Sequence, residues 1–240
     1  MMARQIVAFS GGKDSTALVL EMQRRGEAID GLLVTPTGDE LPDVWRHWNE
    51  VAEHVGCEVI RPKAPTLEEA IASQGALPNF RMRWCTRLIK IQPMIAWAVG
   101  SGADAVICVG LRADEEERRG IISEHVSTRF PLREWGLGLH DVLRIVDRSP
   151  FQVPRRTDCA RCYHQRIHEW WDLWHDHPDL FASAVEDERR TGHTFRTPGR
   201  DTWPVALSEL GAAFASGRTP KKRVNLDLFD DIEICRVCSL

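Results

Sequence analysis

The chain opens with an apolar run, Gln5-Ile6-Val7-Ala8-Phe9, that predicts a buried strand, and continues after two glycines into a segment from Thr16 to Arg25 whose Ala17, Leu18, Val19 and Leu20 predict a helix packed on a sheet. The pattern then repeats. Ile29 to Thr35 predicts a second buried strand, Cys57 to Ile60 a third, and Ala105 to Val109 a fourth, with Cys57 and Cys108 as small apolar residues inside their strands. Val44, Trp48, Val51, Ala52 and Val55 fall at helical spacing, with Asp43 as the candidate N-cap, Gly56 as the stop and Trp48 in the core. Pro93 is expected in the first turn of an amphipathic helix, and Glu115 to Arg119 in a surface helix with internal ion pairs.

From Ser149 the character changes. Pro150, Pro154, Arg155 and Arg156 read as a linker, and the remainder of the chain has helices and loops without clear strands. Ile167, Trp170, Trp171 and Trp174 recur at i, i+3, i+4, i+7, the core stripe of a helix rather than a platform for bases. Two regions are therefore expected, an α/β domain over 1–148 and a mainly helical one over 149–240.

A hydrophobic content of 43% with 28% charged residues over 240 residues is that of a globular protein large enough to bury a core. The net charge of -4 gives no global pull toward nucleic acid or membrane, so any such binding must come from local patches. Lys13 and Asp14 interrupt the place where a leader would need an apolar stretch, and no run is long enough for a membrane span, so a cytoplasmic protein without membrane contact is expected. Seven cysteines that include two Cys-x-x-Cys pairs argue for metal or redox use over a disulfide framework.

The chemistry starts at Ser10-Gly11-Gly12-Lys13-Asp14-Ser15-Thr16, between the first strand and the first helix. Glycines followed by hydroxyls at a helix entrance build an anion cradle, because backbone N–H groups and the helix dipole point the same way. It is not the common nucleoside-triphosphate loop: that motif needs a glycine where Val7 stands, and Asp14 separates Lys13 from the hydroxyl. The segment resembles the pyrophosphate loop of the ATP pyrophosphatases, the adenine nucleotide α-hydrolase group that includes phosphoadenosine phosphosulfate reductases and the DNA phosphorothioation enzymes. That resemblance implies a Rossmann-like, open, mostly parallel five-stranded α/β sheet with helices on both faces and a helical, cysteine-containing extension. It also implies ATP with Mg²⁺, the outer phosphates held by Ser10 to Thr16 while chemistry proceeds at the α-phosphorus.

Other segments resemble the reductases in the same order along the chain. Thr35-Pro36-Thr37-Gly38-Asp39-Glu40-Leu41-Pro42 is similar to their Asn-Thr-Gly-x-Glu-x-Pro turn, with Pro36 in place of the Asn, and implies Thr37 and Gly38 at the nucleotide. Arg81 to Pro93 resembles their Arg-x-Cys-Thr-x-x-Leu-Lys-Ile-x-Pro segment; Arg83 and Arg87 are then expected on substrate phosphate or sulfate, with Lys90 near the nucleotide. Cys85, among four cations in ten residues, is expected to have thiolate character. Gly110-Leu111-Arg112-Ala113-Asp114 looks like their Gly-x-Arg-x-Glu segment and puts Arg112 on phosphate, and Phe130 to Trp135 with Asp141-Val142 resembles the hinge that closes their sheet.

Cys159-Ala160-Arg161-Cys162 and Cys235-Arg236-Val237-Cys238 supply four thiolates in two knuckles, which can hold zinc in a tetrahedral site or a [4Fe–4S] cluster; the cluster is favoured, with Cys85, His164 and His168 as further candidate ligands. The expected function is an enzyme that cleaves ATP at the α–β bond, with Lys13, Asp14, Cys85, Lys90 and Arg112 at the chemistry, to adenylylate an acceptor for sulfur transfer. The acceptor is a small metabolite or a nucleic acid, and a sulfur donor, a thioredoxin-like reductant and a second copy of the chain are further candidate partners. A genuine phosphosulfate reductase is the alternative, although Gly138-Leu139-His140 has no cysteine before it where the reductases carry Glu-Cys-Gly-Leu-His. A non-catalytic nucleotide or nucleic-acid module comes third, supported by Arg155, Arg156, Arg161 and Arg166 beside the tryptophans.

Overall fold

Neighbouring residues of each strand bury on opposite faces: Val7, Leu32 and Cys108 in one apolar layer, Ile6, Leu33 and Ile107 in the other. Strands buried on both sides are those of a parallel sheet covered by helices. In the computed structural model, which describes residues 3–100, 105–115, 117–118 and 123–221, strands β1 (Arg4–Ala8), β2 (Gly31–Leu33), β3 (Val59–Ile60), β4 (Ala105–Cys108) and β5 (Ser127–Arg129) form one sheet. Its order is β3-β2-β1-β4-β5 and every pairing is parallel, with Ile6 opposite both Gly31 and Ile107. The five-stranded Rossmann-like α/β architecture expected from the sequence is the observed one. The order reverses at β1, so the crevice beyond its carboxyl end, where ligands of open α/β sheets bind, is formed by the loop that begins at Ser10.

Helices α1 (Lys13–Arg24), α2 (Pro42–Val55) and α6 (Leu139–Asp147) cover one face, and α4 (Gln92–Gly100) covers the other; α3 (Leu67–Gln74) and the short α5 (Pro131–Glu134) complete this half. Helix boundaries differ from the sequence expectation for local reasons. Helix α1 starts at Lys13 rather than Thr16, because the loop glycines lead straight into the first turn. Leu41, not Asp43, is the N-cap of α2: Pro42 takes the first helical position, where its missing N–H costs nothing, and Asp43 falls in the first turn. Gly56 closes α2 in the left-handed conformation, as expected.

Pro93 falls in the first turn of α4, as expected, but that turn is not a free helix start. Helix α4 continues a helical run that begins before it with a π-helical stretch, Thr86–Ile91, and Gln92 N–H donates to Arg87 O five residues back. Widening the helix there is a way to admit a proline whose ring would otherwise strike the carbonyl one turn earlier. Glu115 is buried in a turn rather than exposed on a helix: it accepts from Arg112 N–H at 3.1 Å and pairs with Arg118 at 2.5 Å.

Among the described residues beyond Ser149, helices α7 (Ile167–Asp176), α8 (Pro178–Thr191) and α9 (Leu207–Ala215) follow. Trp170 and Leu173 of α7 are buried, with Ile167, Trp171 and Trp174 partly buried against the same cluster, which is the core stripe read from the spacing. That cluster also contains Leu67, Ile71, Leu77, Trp84 and Ile89, so one apolar core runs beneath both regions.

Candidate functional site

The β1–α1 loop is built by its own side chains and by α2. Ser15 Oγ accepts from Gly11 N–H at 3.1 Å and donates to Gly12 O at 3.1 Å, and Ser10 Oγ accepts from Gly12 N–H at 3.3 Å. Trp48 Nε1 donates to Ser10 O at 3.0 Å from behind the loop. Gly11 has φ of +82°, and a Cβ there would lie 2.7 Å from Trp48 Nε1, so both conformation and space require glycine. Thr16 is fully buried and its hydroxyl meets His47 Nε2 at 2.9 Å. Burial lowers the His47 pKa from 6.5 to about 4, so the ring is neutral at pH 7. Ser15 and Thr16, expected on the ligand, thus shape the cradle. The amino terminus of α1 has no side-chain cap, and Gly12 leaves room for Thr157 Oγ1 to stand 3.3 Å from where a Cβ would be.

Lys13 and Asp14 sit together at the helix entrance, Nζ to Oδ2 at 3.5 Å. Arg112 reaches Asp14 Oδ1 at 2.9 Å from the end of β4, and its Nε donates to Asp114 at 2.9 Å. Arg112 is buried; burial opposes its charge, while Asp14, Glu115 and Asp114 together raise its pKa. It therefore neutralises the carboxylates around the loop.

Beyond β2, Glu40 accepts from Thr37 N–H at 2.6 Å, Thr37 Oγ1 at 2.7 Å and Gly38 N–H at 3.1 Å, which fixes the turn. The adjacent Asp39 is buried and holds the cysteine knuckle. Asp39 O accepts from Ala160 N–H at 2.7 Å, its carboxylate accepts from Arg161 N–H at 3.0 Å, and the Arg161 guanidinium bridges Asp39 at 2.9 Å and Asp187 at 2.6 Å. Arg156 braces the same loop through Asp158, Gln165 Oε1 and Cys159 O. Arg156 and Arg161 are thus tied into ion pairs, and Trp170 is fully buried, which removes them from the surface a nucleic-acid module would need.

The result is a pocket lined by Thr37, Cys85, Lys90, Cys159, Arg161, Cys162, Tyr163 and His164. Cys85 is brought to the first knuckle, but the expectation of a thiolate fails. Burial and the neighbouring Cys159 raise the Cys85 pKa, outweighing Lys90. The Cys162 thiol is raised well above the ordinary range by its hydrogen bond to Cys159 and by burial. Arg83 hydrogen-bonds Tyr163, and Arg87 is exposed outside the pocket lining. Among the described residues no three His, Cys, Asp or Glu side chains are grouped so as to hold a metal ion. Cys159 and Cys162 are hydrogen-bonded to each other, two of the four expected thiol ligands; the other two, Cys235 and Cys238, lie outside the described residues. His168 does not line the pocket. The sequence reading missed Asp39, Trp48, His47 and Tyr163 as parts of the site; of these only Asp39, inside the Thr37–Glu40 turn, carried a signal.

Residues 4–130, the whole sheet with its loop, match the family model of the phosphoadenosine phosphosulfate reductase domain. The chain belongs to the phosphoadenosine phosphosulfate reductase family. Within the superfamily of pyrophosphate-loop proteins, this family member is similar over 127 residues, at 34% identity, to the tRNA-specific 2-thiouridylase MnmA 3 of two strains of Bacteroides fragilis. The match takes in 50% of the chain and 33% of the relative, so the family member spans about a third of the length of these curated relatives. It is also similar to two solved structures. One is a phosphoadenylyl-sulfate reductase from Candida auris in a phosphate complex, at 16% identity and a TM-score of 0.46 over 61% of this chain and 73% of that one. The other is the U34-tRNA thiolase NcsA from Methanococcus maripaludis with its [4Fe-4S] cluster, at 14% identity and a TM-score of 0.46 over 99% and 80%. Among the described residues no helix is long and apolar enough to cross a membrane.

Proposed function

We propose that this chain binds ATP with its outer phosphates on the Ser10–Lys13 loop and the first turn of α1, cleaves it at the α–β bond, and adenylylates an acceptor that then receives sulfur. The observation that carries the reading is the shared pocket: Thr37, on the turn beside the nucleotide crevice, and the thiols of Cys85, Cys159 and Cys162 line one cavity. The cavity, about 20 Å³, has room for a sulfur atom or a water but not for an acceptor, so an acceptor activated at the α-phosphorus would meet the thiols at its mouth. The chain's own contribution is positioning and charge: backbone amides and Lys13 for the phosphates, Lys90 and Arg112 around the developing charge. Lys13 and Asp14 are retained, which suits a reaction in which pyrophosphate leaves. The similarity to a tRNA thiouridylase supports sulfur transfer as the outcome.

Mg²⁺ would be held chiefly by the nucleotide's phosphates, since Asp14 is engaged by Lys13 and Arg112. A [4Fe–4S] cluster or zinc ion would take Cys159 and Cys162, with Cys85 or the distal knuckle completing the set. A cluster would supply a site for sulfur; the protein would orient and shield it. The reductase alternative uses the same crevice with phosphoadenosine phosphosulfate. Incubating anaerobically purified protein with ATP, Mg²⁺, sulfide and candidate acceptors should yield AMP and pyrophosphate. Sulfite from phosphoadenosine phosphosulfate, with no AMP from ATP, would replace this reading by the reductase one.

A further inference from the structure

Between Glu69 and Asp104 the chain has no carboxylate but carries Arg81, Arg83, Arg87 and Lys90, a cationic island in a protein of net charge -4. A rigid turn stands at its start. The Asn79 side-chain oxygen accepts from Arg81 N–H and Met82 N–H, both at 2.9 Å, and Asn79 N–H donates to Met82 O at 3.2 Å. The turn holds Phe80 48% and Met82 50% exposed, with Arg81 exposed between them and the Arg200 guanidinium 5.9 Å from the Phe80 ring centroid; Arg87 is exposed farther along, in the π-helical stretch. Two large apolar side chains, half exposed two residues apart on a hydrogen-bonded turn beside cations, make this a candidate contact surface. The Phe80 ring stands perpendicular to those of Tyr163 and His164, at 5.3 and 4.8 Å between centroids. Both of those residues line the thiol pocket, so the exposed ring stands at its rim.

We infer that the Asn79–Met82 turn docks a single-stranded nucleic acid, one base stacking on Phe80 and phosphates of the same strand pairing with Arg81 and Arg87, which brings a neighbouring base to the mouth of the pocket. The alternation of ring and cation matches the alternation of base and phosphate along a strand. An acidic peptide would use the cations and leave Phe80 idle; a lipid surface would need a broader apolar face. The inference rests on the sulfur-transfer reading and names its acceptor as nucleic acid.

The test is fluorescence anisotropy of the full-length protein with a short labelled single-stranded RNA, across a salt series, beside a separate measurement of ATP binding by the unaltered protein. Phe80→Ala and Phe80→Leu should each weaken RNA binding roughly tenfold, the leucine variant keeping apolar bulk but no ring. Arg81→Ala with Arg87→Ala should weaken it further and reduce the slope of log K against log salt by roughly 1.4. Arg144→Ala, an exposed cation on α6, should have no effect. Absence of RNA binding, binding by Phe80→Leu equal to the unaltered protein, or an equal loss in Arg144→Ala would overturn the proposal. ATP bound and turned over without RNA binding would sink this inference and leave the adenylylating enzyme with a small acceptor. RNA bound without ATP would do the reverse.

Discussion

Gly11 shows how one position can decide a site. Its positive φ and the indole 2.7 Å from a would-be Cβ mean that Gly11→Ala must either push Trp48 away or distort the loop. The expected result is an ATP affinity at least roughly tenfold weaker, with a stability loss of about 1 kcal/mol or more in urea denaturation. His47 gives a pH signature. Its folded pKa of about 4 lies below the ordinary 6.5, so the unfolded chain takes up a proton that the folded ring refuses as pH falls between those values. The stabilisation is present above about pH 6.5 and is lost as pH drops toward 4, on the order of 3 kcal/mol. Replacing His47 by Gln should flatten that part of the stability curve relative to the unaltered protein; an unchanged acid slope would show that the ring is not the group responsible. Neither residue's role could be read from the sequence. His47 and Trp48 look like an ordinary core stripe, and only the approach of α2 to the loop turns them into its support.

At the scale of elements, what the sequence shows best is what local burial dictates. The strand runs Ile6 to Phe9 and Ala105 to Val109 are apolar on both faces and could hardly be anything else. Boundaries depend on particular carbonyls and amides, which is why Pro42 displaced Asp43 as the start of α2. The hidden element is the π-helical stretch before α4, because no periodicity announces a single extra residue in a turn. That stretch sets the rotation of Cys85 and Lys90 relative to α4. Pro93→Ala removes the steric reason for the widened turn, so the variant should be as stable as the parent or more so, yet turn over ATP roughly tenfold or more slowly as the pocket residues lose their aim. A variant with unaltered kcat would mean that the register of this helix is immaterial to the chemistry.

For the molecule as a whole, the change of composition at Ser149 falls after α6, twenty residues beyond the last described strand, and says nothing of the core beneath. Leu67, Ile71, Trp84 and Ile89 bury against Tyr163, Trp170, Phe181 and Phe214. Residues 1–148 expressed alone would expose that apolar surface, and the expected outcome is an aggregating or dye-binding fragment, whereas the full chain unfolds in one transition by circular dichroism and tryptophan fluorescence alike. The sequence offered Cys85 as a further ligand beside the first knuckle but no reason for the two to meet, since contacts across more than seventy residues follow from topology and not from spacing. The Asp39 clasp has an effect in time. One carboxylate anchors the loop that carries Cys159 and Cys162 to the turn beside the nucleotide crevice, so whatever occupies the thiols alters the strain felt there, and the influence must run equally in both directions. Alkylating the thiols should change ATP affinity in the unaltered protein and much less in Asp39→Asn, the outcome expected where the clasp makes one half of the proposed reaction wait for the other.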